Sequence, residues 1–338
     1  MPCTKKTTGK KNMLKSRIIA TGSFVPEKIL TNRDLERMVD TSDEWILERT
    51  GIRERHVVSK DESTSDLAAE AARQALKSAG LKAKDIDLII VATCTPDMFF
   101  PSTACMVQHK IGAVHAAAFD MNAACSGFLY GLSVADKFIR TGTCTRALVI
   151  GAETLTRFVD WEDRTTCVLF GDGAGAVILE PSDDESALLY THIKSDAEYW
   201  DYIQIPGGAS KEPASKTVLE KRSNTIRMKG NETFKVAVKT LETLVVDTLE
   251  QCNLKPSQLA LLIPHQANLR IIQATAKRLG LSMDRVMLNL DRYGNTSAAS
   301  IPIALDEAVR TGRIRRGDYL LLEAFGAGLT WASALIKW

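Results

Sequence analysis

Three residues in this sequence have side chains suited to group-transfer chemistry and neighbours small enough to expose them. Cys125 lies in Met121-Asn-Ala-Ala-Cys125-Ser-Gly127, His265 in Ile263-Pro-His-Gln-Ala-Asn268, and Asn295 in Tyr293-Gly-Asn-Thr-Ser-Ala-Ala-Ser300. A thiol on the first turn of a helix feels unpaired N–H groups and the positive dipole end, which favour thiolate. Ala123, Ala124 and Gly127 leave room for a reactant to approach the sulfur. Taken singly, each residue has an ordinary reading: a buried thiol in a packed corner, a satisfied histidine after a strand, an asparagine capping a turn. Taken together, a thiol, an imidazole and a carboxamide presented at one end of a sheet are hard to attribute to packing alone.

The elements around them bring the three to one end of a sheet. A strand over 116–121 feeds a helix over 126–140 that carries Cys125, and 87–94 (DLIIVATC) is an apolar run of the kind buried on both faces. Ser63 as N-cap, Asp66 three residues on and Gly80 as stop delimit an amphipathic helix. A second long helix begins near Asn231. The glycine run Phe170-Gly-Asp-Gly-Ala-Gly-Ala176 precedes a strand and opens no helix, so it reads as tight backbone packing and not as a dinucleotide loop. Residues 258–265 repeat 87–94 at an offset of 171, and Arg310-Thr-Gly312 repeats Arg140-Thr-Gly142 at 170. The second half therefore duplicates the first, and at these offsets Asn295 takes the place of Cys125 and His265 that of Cys94. All three fall at carboxyl ends of strands, where open α/β sheets bind ligands.

The halves are expected over 13–185 and 186–338, with a polar, flap-like insertion about 186–225. Residues 1–12, Lys- and Thr-rich, read as a disordered tail. The chain of 338 residues is 45% hydrophobic and 25% charged with a net charge of +2, which gives no argument for nucleic-acid or bulk membrane binding. No apolar run reaches the roughly 20 residues of a membrane span. The seven cysteines are scattered and odd in number, which argues for reduced thiols in a cytoplasmic compartment and against a disulfide scaffold or zinc site.

The motifs NAACSGF, PHQAN and GNTSAAS, with TSDEWI, TGIRERH, FGDGAGA and the ending Glu323-Ala-Phe-Gly-Ala-Gly-Leu-Thr-Trp331, together resemble the β-ketoacyl-acyl-carrier-protein synthase III family from about Met13 to Trp338. The resemblance implies an α/β, thiolase-like fold: internally duplicated βαβ-rich halves in five layers, αβαβα, assembled as a homodimer. It implies a condensing acyltransferase that starts fatty acid synthesis. Such an enzyme joins a short acyl group, acetyl by expectation, from coenzyme A to malonyl-acyl-carrier protein with loss of carbon dioxide, and uses no cofactor beyond the coenzyme A thioester. Cys125 would be the acyl-accepting nucleophile, and His265 and Asn295 would hold the enolate oxygen, each donor contributing about 3 kcal/mol. The N–H groups of Cys125 and Ala327 would form the oxyanion hole. The family commonly has glycine where Ala327 stands, and a positive φ there would be costly. Trp45, Arg49, Arg164, Asn268, Arg270 and Phe234 would bind coenzyme A. Phe100 would reach the acyl pocket of the other subunit, and Lys235, Arg270, Lys277 and Arg278 would dock the acidic carrier. The alternatives are another synthase of this fold (polyketide or hydroxymethylglutaryl type), a papain-like cysteine hydrolase with the same Cys, His, Asn order, or a non-catalytic acyl binder.

Overall fold

The computed structural model describes residues 14–338, so the tail expected over 1–12 lies outside the described residues. Two sheets share one plan. The first is ordered Lys15–Phe24, Asp172–Ser182, Ala147–Thr154, Leu88–Ala92, Ala117–Met121; its last three strands are parallel and the first two join antiparallel. The second runs Ala187–Ser195, Thr330–Lys337, Tyr319–Gly326, Leu259–Pro264, with the same alternation of senses. Its fifth strand is reduced to one parallel bridge between Leu262 and Val286.

Five layers pack through one central apolar core, which surrounds the middle helices, and two outer ones. Helices Thr64–Ala79 and Thr103–Ile111 pack their alanines and Val107 on the outer face of the first sheet. Ser63 and Asp66 close the first of these helices reciprocally, and Gly80 ends it at φ 66°. Helices Gly127–Arg140 and Ser300–Arg310 fill the space between the sheets, and Gly230–Gln251 and Leu269–Leu279 cover the second sheet. The glycine run is packing, as its position before a strand suggested: a Cβ on Gly175 would lie 2.6 Å from the Ile303 nitrogen of a central helix.

The structure corrects two expectations. Residues 187–195 are no flap. They form an edge strand paired along Thr330–Lys337, with Ala187 and Leu188 buried, and their outward polar residues reflect a strand covered on one side only. The duplication also runs at an offset of 173, not 170–171. Leu88 and Ile90 share the central core with Leu261 and Ile263, Ala147 and Val149 with Leu320 and Leu322, and the central helices begin at Gly127 and Ser300. The second of these helices has 11 residues against 14 in the first, which brings the Arg-Thr-Gly ends to 170 and misleads a sequence match. Asn295 is thus the counterpart of Asn122, not Cys125, and His265 that of Ala92, not Cys94. The two asparagines behave alike: Asn122 Oδ1 accepts the Ala124 N–H at 3.2 Å and Asn295 Oδ1 the Ser297 N–H at 2.9 Å.

Candidate functional site

Cys125 sits in a 3₁₀ turn, Ala124–Ser126, just ahead of the helix Gly127–Arg140. Ala124 holds a φ of 45°, an uncommon value for a residue with a Cβ. The turn is clamped to the loop after Tyr319–Gly326: Ser126 Oγ donates to Thr330 O at 3.1 Å, and Thr330 Oγ1 donates to Ala123 O at 2.9 Å. Gly326 lies so close that an added Cβ would be 2.7 Å from the Cys125 nitrogen. Positive φ in this loop falls on Gly328, at 130°, and not on Ala327, so the alanine there carries none of the strain its sequence position suggested.

The electrostatics of the thiol run against the helix-dipole expectation. Cys125 keeps some accessible surface, yet it lies deep among the layers, and burial pushes its thiol up to about 12. The Ser297 hydroxyl beside it pulls the other way, and the Glu153 carboxylate raises it further. Desolvation outweighs the partial charge of one helix end. The resting group is a neutral thiol.

His265 and Asn295 are both buried, at 6% and 8% exposure, and both are tied to the turn that faces Cys125. Asn295 is fixed by backbone bonds on either side, its N–H to Leu169 O at 2.9 Å and its O from the Gly171 N–H at 3.1 Å. Because Asn295 Oδ1 accepts the Ser297 N–H, its Nδ2 remains as a donor. His265 Nδ1 is 2.6 Å from Ser300 Oγ, which leaves Nε2. Burial lowers the imidazole to about 3, so the ring is neutral at physiological pH. The residues between, Ser297 and Ala298, pack on the Cys125 helix: a Cβ on Gly127 would lie 3.6 Å from Ala298 Cβ.

Sequence reasoning missed Glu153 as a member of this region. Fully buried, it accepts bonds from Thr95 Oγ1 at 2.6 Å, Cys94 N at 3.1 Å and Thr93 Oγ1 at 3.2 Å. Burial nonetheless raises its pKa. The signal was a lone carboxylate ending an apolar strand, Leu148-Val-Ile-Gly-Ala-Glu153. Glu323 matched it in sequence at 170, but faces the opposite way: it alternates with Leu322 and Ala324 of the central core and so points to the outer helices.

Of the positions expected to hold coenzyme A, Trp45, Arg49, Arg164 and Asn268 come together. The guanidinium carbons of Arg49 and Arg164 lie 5.3 and 4.7 Å from the Trp45 ring centroid. Asn268 Nδ2 donates to Arg49 O at 2.9 Å while its Oδ1 caps the helix Leu269–Leu279 at Arg270 N. Asn268 is therefore engaged in structure with both ends of its amide. Arg270 extends the cluster, 5.1 Å from the Phe234 centroid. Lys235, Arg270, Lys277 and Arg278 are all exposed, on the adjoining helices Gly230–Gln251 and Leu269–Leu279. Phe99 and Phe100 stand 79% and 84% exposed, outside the apolar cores of the chain.

The chain that carries this arrangement is similar to known proteins in sequence and fold. The family described as 3-oxoacyl-[acyl-carrier-protein (ACP)] synthase III matches residues 119–197, and its C-terminal part matches 249–338. Among curated relatives, the β-ketoacyl-[acyl-carrier-protein] synthase III of Caldanaerobacter subterraneus subsp. tengcongensis is 56% identical over 321 residues, 95% of this chain and 97% of the relative. That of Alkalilimnicola ehrlichii is 57% identical over 96% of this chain and 99% of the relative. The crystal structure of the Aquifex aeolicus VF5 synthase III superposes with a TM-score of 0.89 at 48% identity, covering 96% of this chain and all of that one. The priming β-ketosynthase of the R1128 polyketide pathway has the same TM-score, 0.89, at 34% identity and 96% coverage of each chain. The chain belongs to the β-ketoacyl-[acyl-carrier-protein] synthase III family, the condensing acyltransferases of thiolase-like fold that initiate fatty acid synthesis.

Proposed function

We propose that this protein takes a short acyl group, acetyl by preference, from coenzyme A onto Cys125 and condenses it with malonyl-acyl-carrier protein, with His265 and Asn295 stabilising the enolate left by decarboxylation. The observation that carries this reading is the pairing of donors. Asn295 has its oxygen engaged and His265 has Nδ1 engaged and no charge, so the amide nitrogen of one and Nε2 of the other can donate to a developing oxyanion without supplying a proton that would quench it. The Cys125 thiol attacks the thioester carbonyl and gives up its proton. The tetrahedral oxyanion is met by the N–H of Cys125 and that of Ala327 in the loop pressed against it, and coenzyme A leaves as the thiol. Loss of carbon dioxide from malonyl then gives the carbon nucleophile, which attacks the carbonyl of the Cys125 thioester. The new carbon–carbon bond forms as the acyl carbon–sulfur bond breaks, the 3-oxoacyl-carrier protein departs, and the Cys125 sulfur takes a proton from solvent to return to the thiol.

Coenzyme A would lie along Trp45, Arg49, Arg164, Arg270 and Phe234, with Asn268 fixing the frame; no further cofactor is assigned. The carrier would dock on Lys235, Arg270, Lys277 and Arg278. A homodimer is supported by exposed Phe99, Phe100 and Val114 near the unpaired edge of Ala117–Met121, with Phe100 entering the neighbour's acyl pocket. Phe100→Thr should then admit longer starters, which competition between acetyl- and hexanoyl-coenzyme A measures. Among the described residues all six cysteines are free, which supports a reducing cytoplasmic setting that cell fractionation checks.

Half-reactions test the assignment. Cys125→Ala should abolish condensation yet still release carbon dioxide from malonyl-acyl-carrier protein. His265→Ala and Asn295→Ala should lose decarboxylation about a hundredfold or more while keeping acylation. Identical partial-reaction profiles for Cys125→Ala and His265→Ala would overturn it.

A further inference from the structure

We infer that Ser300 is a positioning residue for His265: its hydroxyl fixes the imidazole in the Nε2–H form, so that the ring presents a donor to the substrate oxygen. The inference rests on the role proposed above for His265. Ser300 is the first residue of the helix Ser300–Arg310, 2% exposed. Its oxygen has two polar neighbours among the described residues, His265 Nδ1 at 2.6 Å and the Gln266 N–H at 3.3 Å. The backbone N–H can only donate, so it uses the oxygen as acceptor. The hydroxyl proton then has one acceptor within reach, His265 Nδ1. If Nδ1 carried the proton instead, Ser300 would have to accept twice and its own hydrogen would be left unpaired in a buried site, which is the costly alternative.

The surroundings hold this geometry rigid. Gln266 is 1% exposed and its side chain makes four bonds: to Pro264 O at 2.9 Å, to Met287 O at 3.1 Å, and from Asn289 N and Leu290 N at 3.0 and 3.2 Å. The His265 N–H is bonded to Glu323 O at 2.8 Å. The imidazole thus hangs from a fixed backbone and meets a fixed hydroxyl. The internal duplication supplies a comparison within one chain. At the offset of 173 the counterparts of His265 and Ser300 are Ala92 and Gly127, and they also face each other, since a Cβ on Gly127 would lie 3.1 Å from Ala92 Cβ. The hydroxyl is present in the copy that has the imidazole and absent in the copy that lacks it.

The test uses the whole protein with ring-¹⁵N-labelled histidine. In the wild type, the His265 signals should show Nε2 protonated and Nδ1 bare near neutral pH; a protonated Nδ1 would overturn the inference whatever the variants do. Ser300→Ala should lower malonyl-acyl-carrier protein decarboxylation about tenfold, because a buried imidazole without its hydroxyl partner loses a hydrogen bond of about 1–3 kcal/mol and can take the tautomer that presents no donor. It should change acylation of Cys125 by acetyl-coenzyme A far less, and Ser300→Thr should recover most of the loss. Wild-type decarboxylation in a folded Ser300→Ala protein would also overturn it. If His265→Ala itself retains decarboxylation, the role of His265 fails, while the tautomer measured in the wild type still decides whether Ser300 sets the ring.

Discussion

Replacing Gly326 with alanine probes the closest backbone approach in the site. The added Cβ would fall 2.7 Å from the Cys125 nitrogen and 2.9 Å from its Cβ. Unstrained contacts of this kind begin near 3.5 Å, so the two segments must part by roughly 0.6–0.8 Å. Neither obstacle is the free end of a flexible side chain. The separation also works against the bonds Ser126 Oγ to Thr330 O and Thr330 Oγ1 to Ala123 O, at 3.1 and 2.9 Å. Overpacking of this kind costs about 1–3 kcal/mol of stability, which leaves a domain of this size folded. The catalytic loss should be larger in relative terms. The displacement opens the gap between the thiol and the proposed oxyanion donors, and misplacement on the order of 1 Å costs about a hundredfold in rate. The assay is single-turnover formation of acyl-Cys125 from acetyl-coenzyme A, followed by mass spectrometry, beside a thermal melt. Gly131→Ala serves as control: its Cβ would meet Val149 Cγ1 at 2.9 Å, a comparable overpacking of the core that does not touch Cys125, so the melt should fall while acylation is unchanged. A folded Gly326→Ala protein that acylates at the wild-type rate would refute both the close approach and the oxyanion assignment that depends on it.

Three further outcomes follow from the charges. With the thiol pushed up to about 12, alkylation of Cys125 by iodoacetamide should rise about tenfold per pH unit from 7 to 9 without levelling off; a plateau near pH 7 would mean the helix end has won over burial. Glu323 is buried with Oε2 unpartnered among the described residues, and burial raises it to about 8, above its unfolded value of 4.5. Its contribution is therefore fully present below pH 4.5 and is lost as pH rises towards 8, so Glu323→Gln should flatten the fall in melting temperature over that window, and an unchanged slope would count against the raised value. Lys277→Glu should raise the KM for malonyl-acyl-carrier protein about tenfold or more at low salt, lose that effect at high salt, and spare acylation by acetyl-coenzyme A; equal damage to both half-reactions would place docking elsewhere.

The layers were legible because apolar periodicity and caps are local properties: Ser63, Asp66 and Gly80 announce a helix wherever it packs, and an unbroken apolar run such as Leu88–Ala92 announces a strand with two covered faces. Residues 187–195 were not, since a strand covered on one side alternates weakly and its partner lies more than a hundred residues away, at Thr330–Lys337. The register of the duplication was misread for a related reason. Matching letters aligned Arg-Thr-Gly at the helix ends, where a turn demands glycine at φ 74° and 71° in both copies, whereas strand register is set by which side chains enter the shared core. The difference changes the chemistry inferred. At 170 the thiol and the carboxamide look like one position that diverged. At 173 the asparagines are equivalent, each folding its own turn by accepting an N–H two residues on, and the positions that differ are Cys125 against Ala298, Ala92 against His265 and Gly127 against Ser300. A symmetric scaffold supplies two identical turns facing each other. The thiol stands in one of these turns, and the histidine with its hydroxyl lies beside the other, so that under the function proposed above nucleophile and donors would act on the substrate from two turns in contact.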